Sequence, residues 1–199
     1  MSEIADTISE AVEKADGSRI NTIVAISVAI TATFIALCNV KDGNIVQAMA
    51  QEQAHEVDAW AYYQSKSTKE NMAQSALDQL ELQRDLAANP TPEARALMDR
   101  KLAEYAARVK HYEADKLAIE KTAQGHKAEY DRLNFHDDQF DMAEALMSVA
   151  IALFGVTALT QRRSLLVTAG VFATLGAIMG LAGFMGLGIH PNFLANLLS

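Results

Sequence analysis

A chain of 199 residues, half of them hydrophobic and 21% charged, has room for one domain or two small ones. Its formal net charge of -8 argues against nucleic acid and against anionic lipid headgroups as partners. Cys38 is the only cysteine, so an internal disulfide is excluded and the redox compartment is not legible.

The first segment, SEIADTISEAVEKADG, sets Ile4, Ile8, Ala11, Val12 and Ala15 on one helical face, with Gly17 expected as the stop. Residues 1–17 therefore read as a short amphipathic helix, lying on a bilayer or docked on a neighbouring subunit. Its opposite face is acidic, unlike most lipid-binding helices. INTIVAISVAITATFIALCNV follows, Ile20 to Val40, with no charge over 21 residues. That is enough helix to cross about 30 Å of hydrocarbon. The preceding segment is acidic and the apolar stretch is long for a secretory core, so residues 20–40 are expected to be a retained anchor. Ala25, Ala29, Ala32 and Ala36 recur at helical spacing within it, a small-residue face suited to close helix packing.

Residues 42–141 are rich in Ala, Gln, Glu, Lys and Leu, a composition that favours long helices. The charges over 41–141, 19 acidic and 13 basic, are well mixed and describe a solvated surface. The break falls at NPTP, residues 89–92. Asn89 precedes a proline and must leave the helical region. Thr91 is then a natural N-cap, Pro92 suits the first helical position, and Glu93 suits the positive end of the helix dipole. Two helices joined so tightly run antiparallel. The returning arm carries a seam of four- and three-residue steps, through Met98, Leu102, Tyr105, Val109, Tyr112, Lys116, Ile119, Ala123, His126, Tyr130 and Leu133. The outgoing arm is less regular, with Ile45, Met49, Trp60, Tyr63, Ala73, Leu77, Leu80 and Ala87 available to line it. Arms of this length would project about 70 Å. Neither arm has an obvious breaker, beyond Lys41–Gly43, between itself and the adjoining apolar run.

Residues 142–160 contain a second low-charge run, ALMSVAIALFGVTALT, and residues 164–189 a third. Gly176 and Gly180 make a GxxxG that Gly183 extends, again a packing face. The tail, 190–199, is apolar and broken at Pro191, which suits an interfacial anchor. The expected fold is all-α: an integral membrane protein with three transmembrane helices and a long antiparallel coiled-coil hairpin inserted between the first and second. Lys14, Arg19, Arg162 and Arg163 flank the spans on one side, Lys41, Lys127 and Arg132 on the other. The positive-inside rule then places the N-terminus in the cytoplasm and the hairpin outside.

Four groups of residues are candidate sites. EQAH and HKAE set Glu52, His55, His126 and Glu129 opposite one another across the hairpin, the Glu/His pattern by which helical bundles hold iron or zinc. An ordinary seam role outweighs that reading, and no cofactor or metal is expected. FHDDQFD gathers His136, Asp137, Asp138 and Asp141, a conceivable cation site, against which stands the commoner role of acids at a helix start. WAYYQSKSTKEN brings Trp60, Tyr62, Tyr63, Lys66 and Lys69 together, with Lys66 facing Asp115 and Lys69 facing Tyr112. It reads as a partner surface or, better, as packing that fixes register. Asn21, Ser27, Thr31 and Asn39 in the first span would line any water path. The spans carry no Asp, Lys, Arg or His at depth, which disfavours an ion-coupled carrier. No Gly-rich phosphate loop, Ser/His/Asp set or Cys/His set is present, so no enzymatic activity is expected.

WAYYQSKSTKEN, together with FDMAEALMSVAIALFGVTALTQRRSLL, is similar to the uncharacterised bacterial membrane proteins grouped as domain of unknown function 4337. The resemblance covers nearly the whole chain. It implies a bacterial three-span protein and carries no activity, ligand or catalytic residue with it; the inner membrane is the expected location. The expected function is a non-enzymatic membrane scaffold, self-associating or an accessory subunit of a membrane-protein complex. A pore or channel subunit and a metal or ligand sensor are the alternatives.

Overall fold

The computed structural model describes residues 2–189, with side chains from residue 19 onward. The amphipathic face expected over 1–17 and the anchor expected over 190–199 fall outside the described side chains. Three helices make up the chain: α1 (Ser2–Leu86), α2 (Pro92–Thr160) and α3 (Arg163–Met185), with no strand among the described residues. Each is long and apolar enough to cross a membrane. The expected stop at Gly17 does not occur, and α1 also runs unbroken through Gly43. An interior glycine costs a helix only about 1 kcal/mol relative to alanine, and no proline flanks either one. α2 likewise passes through FHDDQFD without a break, so the acids there are not at a helix start.

The helices contribute to two compact units, one of residues 1–48 and 132–199, the other of residues 49–131. In the first, the three-helix unit, Ile20 and Val24 of α1, Ala150 and Phe154 of α2 and Ala169 of α3 form a buried cluster. Met142 and Ala143 of α2 pack against Met179 of α3. Glycines of α3 set how close the helices come. A Cβ at Gly176 would lie 2.7 Å from Met147 Cγ and 3.0 Å from the Ala143 carbonyl oxygen. At Gly180 it would meet Phe34 at 2.7 Å, and at Gly183 the Phe140 ring at 2.8 Å.

Gln161 turns the chain from α2 into α3 with a φ of 56°, and its side-chain amide donates to Asn21 Oδ1 at 2.7 Å. The third apolar run extends to Ile189, but the helix closes at Met185. Gly186 takes the left-handed conformation, φ 65°, and the Leu187 N–H bonds back to the Ala182 carbonyl at 2.9 Å. A glycine cap of this kind ends a helix whatever the hydrophobicity beyond it.

In the two-helix unit the NPTP stretch behaves as its chemistry requires. α1 ends at Leu86 and α2 begins at Pro92. The Ala94 N–H donates to Thr91 Oγ1 at 3.2 Å, which makes Thr91 the N-cap. On α2, every seam position from Met98 to Tyr130 is buried or half-buried. The facing stripe of α1 is as regular: Met49, Glu52, Glu56, Ala59, Tyr63, Lys66, Glu70, Ala73, Leu77 and Leu80 step by three and four, and all are buried or half-buried. Trp60, expected in that stripe, is instead exposed and packs edge-to-face on Tyr63, centroids 5.5 Å apart.

Candidate functional site

Charged groups sit inside the two-helix unit, each against a partner from the other helix. Lys66 Nζ donates to Asp115 Oδ2 at 2.7 Å, with the Tyr62 and Tyr112 rings 5.2 and 5.7 Å away. Lys116 Nζ donates to Glu70 Oε2 at 2.6 Å and lies 5.4 Å from the Tyr63 ring centre. The hydrogen bond from Lys66 holds the Asp115 carboxyl below the usual carboxylate range, and its partner pushes the Lys66 ammonium up. One cation comes from α1 and the other from α2. A slip of the helices would therefore set like charges together or leave half-buried charges alone. Lys69 and Tyr112 line one open cleft, with Tyr105 and Arg108 beside them. Of the five residues singled out here, Tyr63 and Lys66 turn toward α2, while Trp60, Tyr62 and Lys69 stay exposed.

The Glu/His set converges in part. His126 Nδ1 lies 2.7 Å from Glu52 Oε2, and the His55 and His126 rings are tilted together at 5.3 Å. His126 therefore meets both His55 and Glu52 of α1. Among the described residues, no group of three or more His, Cys, Asp or Glu side chains is arranged to hold a metal.

In the three-helix unit the two small-residue faces have different fates. Gly176, Gly180 and Gly183 are spent inside the chain, against Met147, Phe34 and Phe140. Ala25, Ala29, Ala32 and Ala36 are all exposed. Three of the four polar residues assigned to a water path have intrachain roles: Thr31 is buried, Asn21 accepts from Gln161, and Asn39, its amide oriented to donate, reaches the Ile35 carbonyl and Glu144 Oε2; Ser27 is half-buried.

Sequence reasoning missed two features of this unit. Gln139 has no exposed surface, and its amide donates to the Leu187 and Ile189 carbonyls at 2.8 and 2.7 Å. The signal was there: Gln139, Ala143, Met147, Ala150, Phe154 and Thr157 form one stripe of four- and three-residue steps, and all are buried. The second is the pairing of Asp42 with Asp137. Asp42 Oδ1 and Asp137 Oδ1 are buried, and neither meets an N–H or hydroxyl donor. Protonation of Asp137 would let its carboxyl donate to Asp42. Burial, then the hydrogen bond and charge of Asp42, with Asp141 and Asp138 adding, push the Asp137 carboxyl up to about 7. Burial and the charges of Asp42, Asp138 and Glu144 raise Asp141 as well.

A carboxyl raised on folding holds a proton that the unfolded chain releases. Its contribution is complete below the ordinary carboxylate range and is lost as pH rises through about 7. The melting temperature is expected to fall between about pH 4 and about pH 8. Asp137→Asn should flatten that descent and melt above the parent protein at the alkaline end. Parallel pH profiles for the two proteins would refute that protonation.

A family model described as a domain of unknown function, DUF4337, matches residues 20–186. No curated protein and no solved structure matches the chain. The chain belongs to the DUF4337 family.

Proposed function

We propose that this DUF4337 protein is a non-enzymatic scaffold of the bacterial inner membrane, crossing it with three helices and assembling through a face of α1. On this reading residues 49–131 are an antiparallel coiled coil, supported by the three- and four-residue steps of both seams and their cross-paired charges. The Arg162–Arg163 turn and Arg19 favour a cytoplasmic N-terminus.

The observation that carries the scaffold reading is the exposed alanine face. Ala25, Ala29, Ala32 and Ala36 are open while the glycines of α3 are already spent. Within a bilayer, apolar surface alone does not drive helices together; close approach through small residues does. An unused small-residue face is therefore where a second copy gains contacts that lipid does not give.

Full-length protein in mild detergent and in nanodiscs is expected to be oligomeric by light scattering. Ala29→Leu with Ala32→Leu should shift it to monomer with little change in melting temperature, because neither side chain is packed within the chain. A monomer at every concentration, in both media, would remove the basis for self-assembly.

A further inference from the structure

We propose that the cleft between α1 and α2 beside Lys69 and Arg108 binds an acidic, extended peptide segment of a partner protein, one carboxylate on the two cations and the neighbouring main chain across Met72. The WAYYQSKSTKEN stretch has two halves. Tyr63 and Lys66 are taken up between the helices, whereas Lys69 is exposed and has no ion pair or hydrogen bond among the described residues. The one acid within four positions of Lys69 along α1 is Glu70, and Lys116 already holds it at 2.6 Å. Across the cleft, Arg108 donates to Glu104 through Nη2 at 2.6 Å, but Glu104 also takes Lys101 at 2.8 Å. Those three side chains keep one positive charge between them, and Lys69 adds a second. A guanidinium carries five N–H donors, so the contact with Glu104 does not exhaust Arg108. Tyr105, its ring centre 5.2 Å from Arg108 Cζ, and Tyr112 complete the wall.

This cleft has a volume of about 330 Å³. A second, of about 450 Å³, adjoins it and shares Met72 and Ala76. The rest of its lining is uncharged and polar: Thr68, Asn71, Ser75 and Gln79. Together the two suit a polypeptide. The first offers a carboxylate charge-assisted hydrogen bonds, the second offers amides and hydroxyls to a main chain, and an adaptable Met side chain lies between. A small free anion would use the first alone. The overall charge of -8 opposes an acidic partner only at long range, because exposed charges farther than about 10 Å are largely screened in physiological salt. Both clefts lie within residues 49–131, so the inference gives the scaffold a partner without depending on the alanine face of α1.

The test titrates full-length protein in mild detergent, by calorimetry, with a short peptide of alternating Glu and Ser and with its Gln–Ser counterpart. The Glu peptide is expected to bind about tenfold more tightly, the worth of one charge-assisted contact, and to weaken as salt rises. Lys69→Gln with Arg108→Gln should remove that preference at an unchanged melting temperature, since exposed charge pairs add little to stability. Lys110→Gln with Lys121→Gln removes the same charge from exposed positions of α2 outside the cleft, and should leave the preference intact. Equal binding of the two peptides overturns the proposal. So does a preference that survives the loss of Lys69 and Arg108, or one that falls as far with Lys110 and Lys121, which would assign it to general surface charge. Displacement of the Glu peptide by inorganic phosphate at matched concentration also overturns it, leaving a site for any small anion. Light scattering of the same samples reads self-assembly separately, so the failure of either reading is told from the failure of the other.

Discussion

Gly176→Val is expected to destabilise the three-helix unit by about 3 kcal/mol, near the upper end of what overpacking costs. The added Cβ would lie 2.7 Å from Met147 Cγ and 3.0 Å from the Ala143 carbonyl oxygen. Met147 is 1% exposed and cannot swing away, and a backbone oxygen moves only if α2 moves. Gly180→Val should cost less, because its Cβ would come nearest to side-chain atoms alone, the edge of the half-buried Phe34 ring at 2.7 Å and Cys38 Sγ at 3.0 Å, with no backbone atom of a neighbouring helix among them. Gly155→Ala is the control: nothing lies within 4 Å of its Cβ position. There the helix propensity of alanine, up to about 1 kcal/mol, is unopposed and the sign should reverse. Thermal unfolding of the detergent-solubilised variants reads all three. If Gly176→Val melts with the parent protein, the α2–α3 packing described here is wrong.

That contrast among glycines also shows where sequence runs out. Spacing marks Gly176, Gly180, Gly183 and the four alanines of α1 as the same kind of feature. Only three-dimensional packing tells that one stripe is used within the chain and the other is left open. Elements set by local chemistry were legible: that α1 ends before Pro90, though at Leu86 rather than Asn89, and that Thr91 caps α2 both follow from steric and hydrogen-bonding rules that act within a few residues, and the seam of α2 follows from its apolar spacing. The stripe of α1 was not, because Glu52, Glu56, Lys66 and Glu70 occupy four of its positions. A search for apolar periodicity passes over charged residues. Their places become intelligible only with Asp115, Lys116 and His126 brought opposite them. Pairing at such sequence distance is also why Asp137 looked like one acid among several, although Asp42 singles it out.

Charges in the seam and the alanine face complement each other in the scaffold reading. Replacing half-buried ion pairs with well-packed apolar residues often leaves a protein as stable or more so. Their use in α1 and α2 is better explained by register, since a purely aliphatic seam tolerates a shift by a heptad, whereas Lys66–Asp115 and Glu70–Lys116 do not.

Gln139→Leu should cost about 3 kcal/mol, the sum expected for three intrachain hydrogen bonds lost on one side only, two donated to the Leu187 and Ile189 carbonyls and one joining Oε1 to His136 Nδ1 at 3.0 Å. The substitution keeps an apolar side chain of similar size in a site with no exposed surface, so volume is not the cause. What is lost is the amide that holds the Leu187 and Ile189 carbonyls. Removing both members of a polar pair can be neutral, but here the carbonyls remain. The Gly186 cap lies next to the released residues, and its closing bond from the Leu187 N–H should open more often. Hydrogen exchange at Leu187 is therefore expected to speed up, together with a lower melting temperature. Gln139→Glu discriminates the cause. A neutral carboxyl can still donate one hydrogen bond, whereas a carboxylate can only accept and would face two carbonyl oxygens. That variant should come closer to the parent protein at about pH 5 than at about pH 8. Gln139→Leu melting with the parent protein, and Leu187 exchanging at an unchanged rate, would show that α3 ends where it does through Gly186 alone.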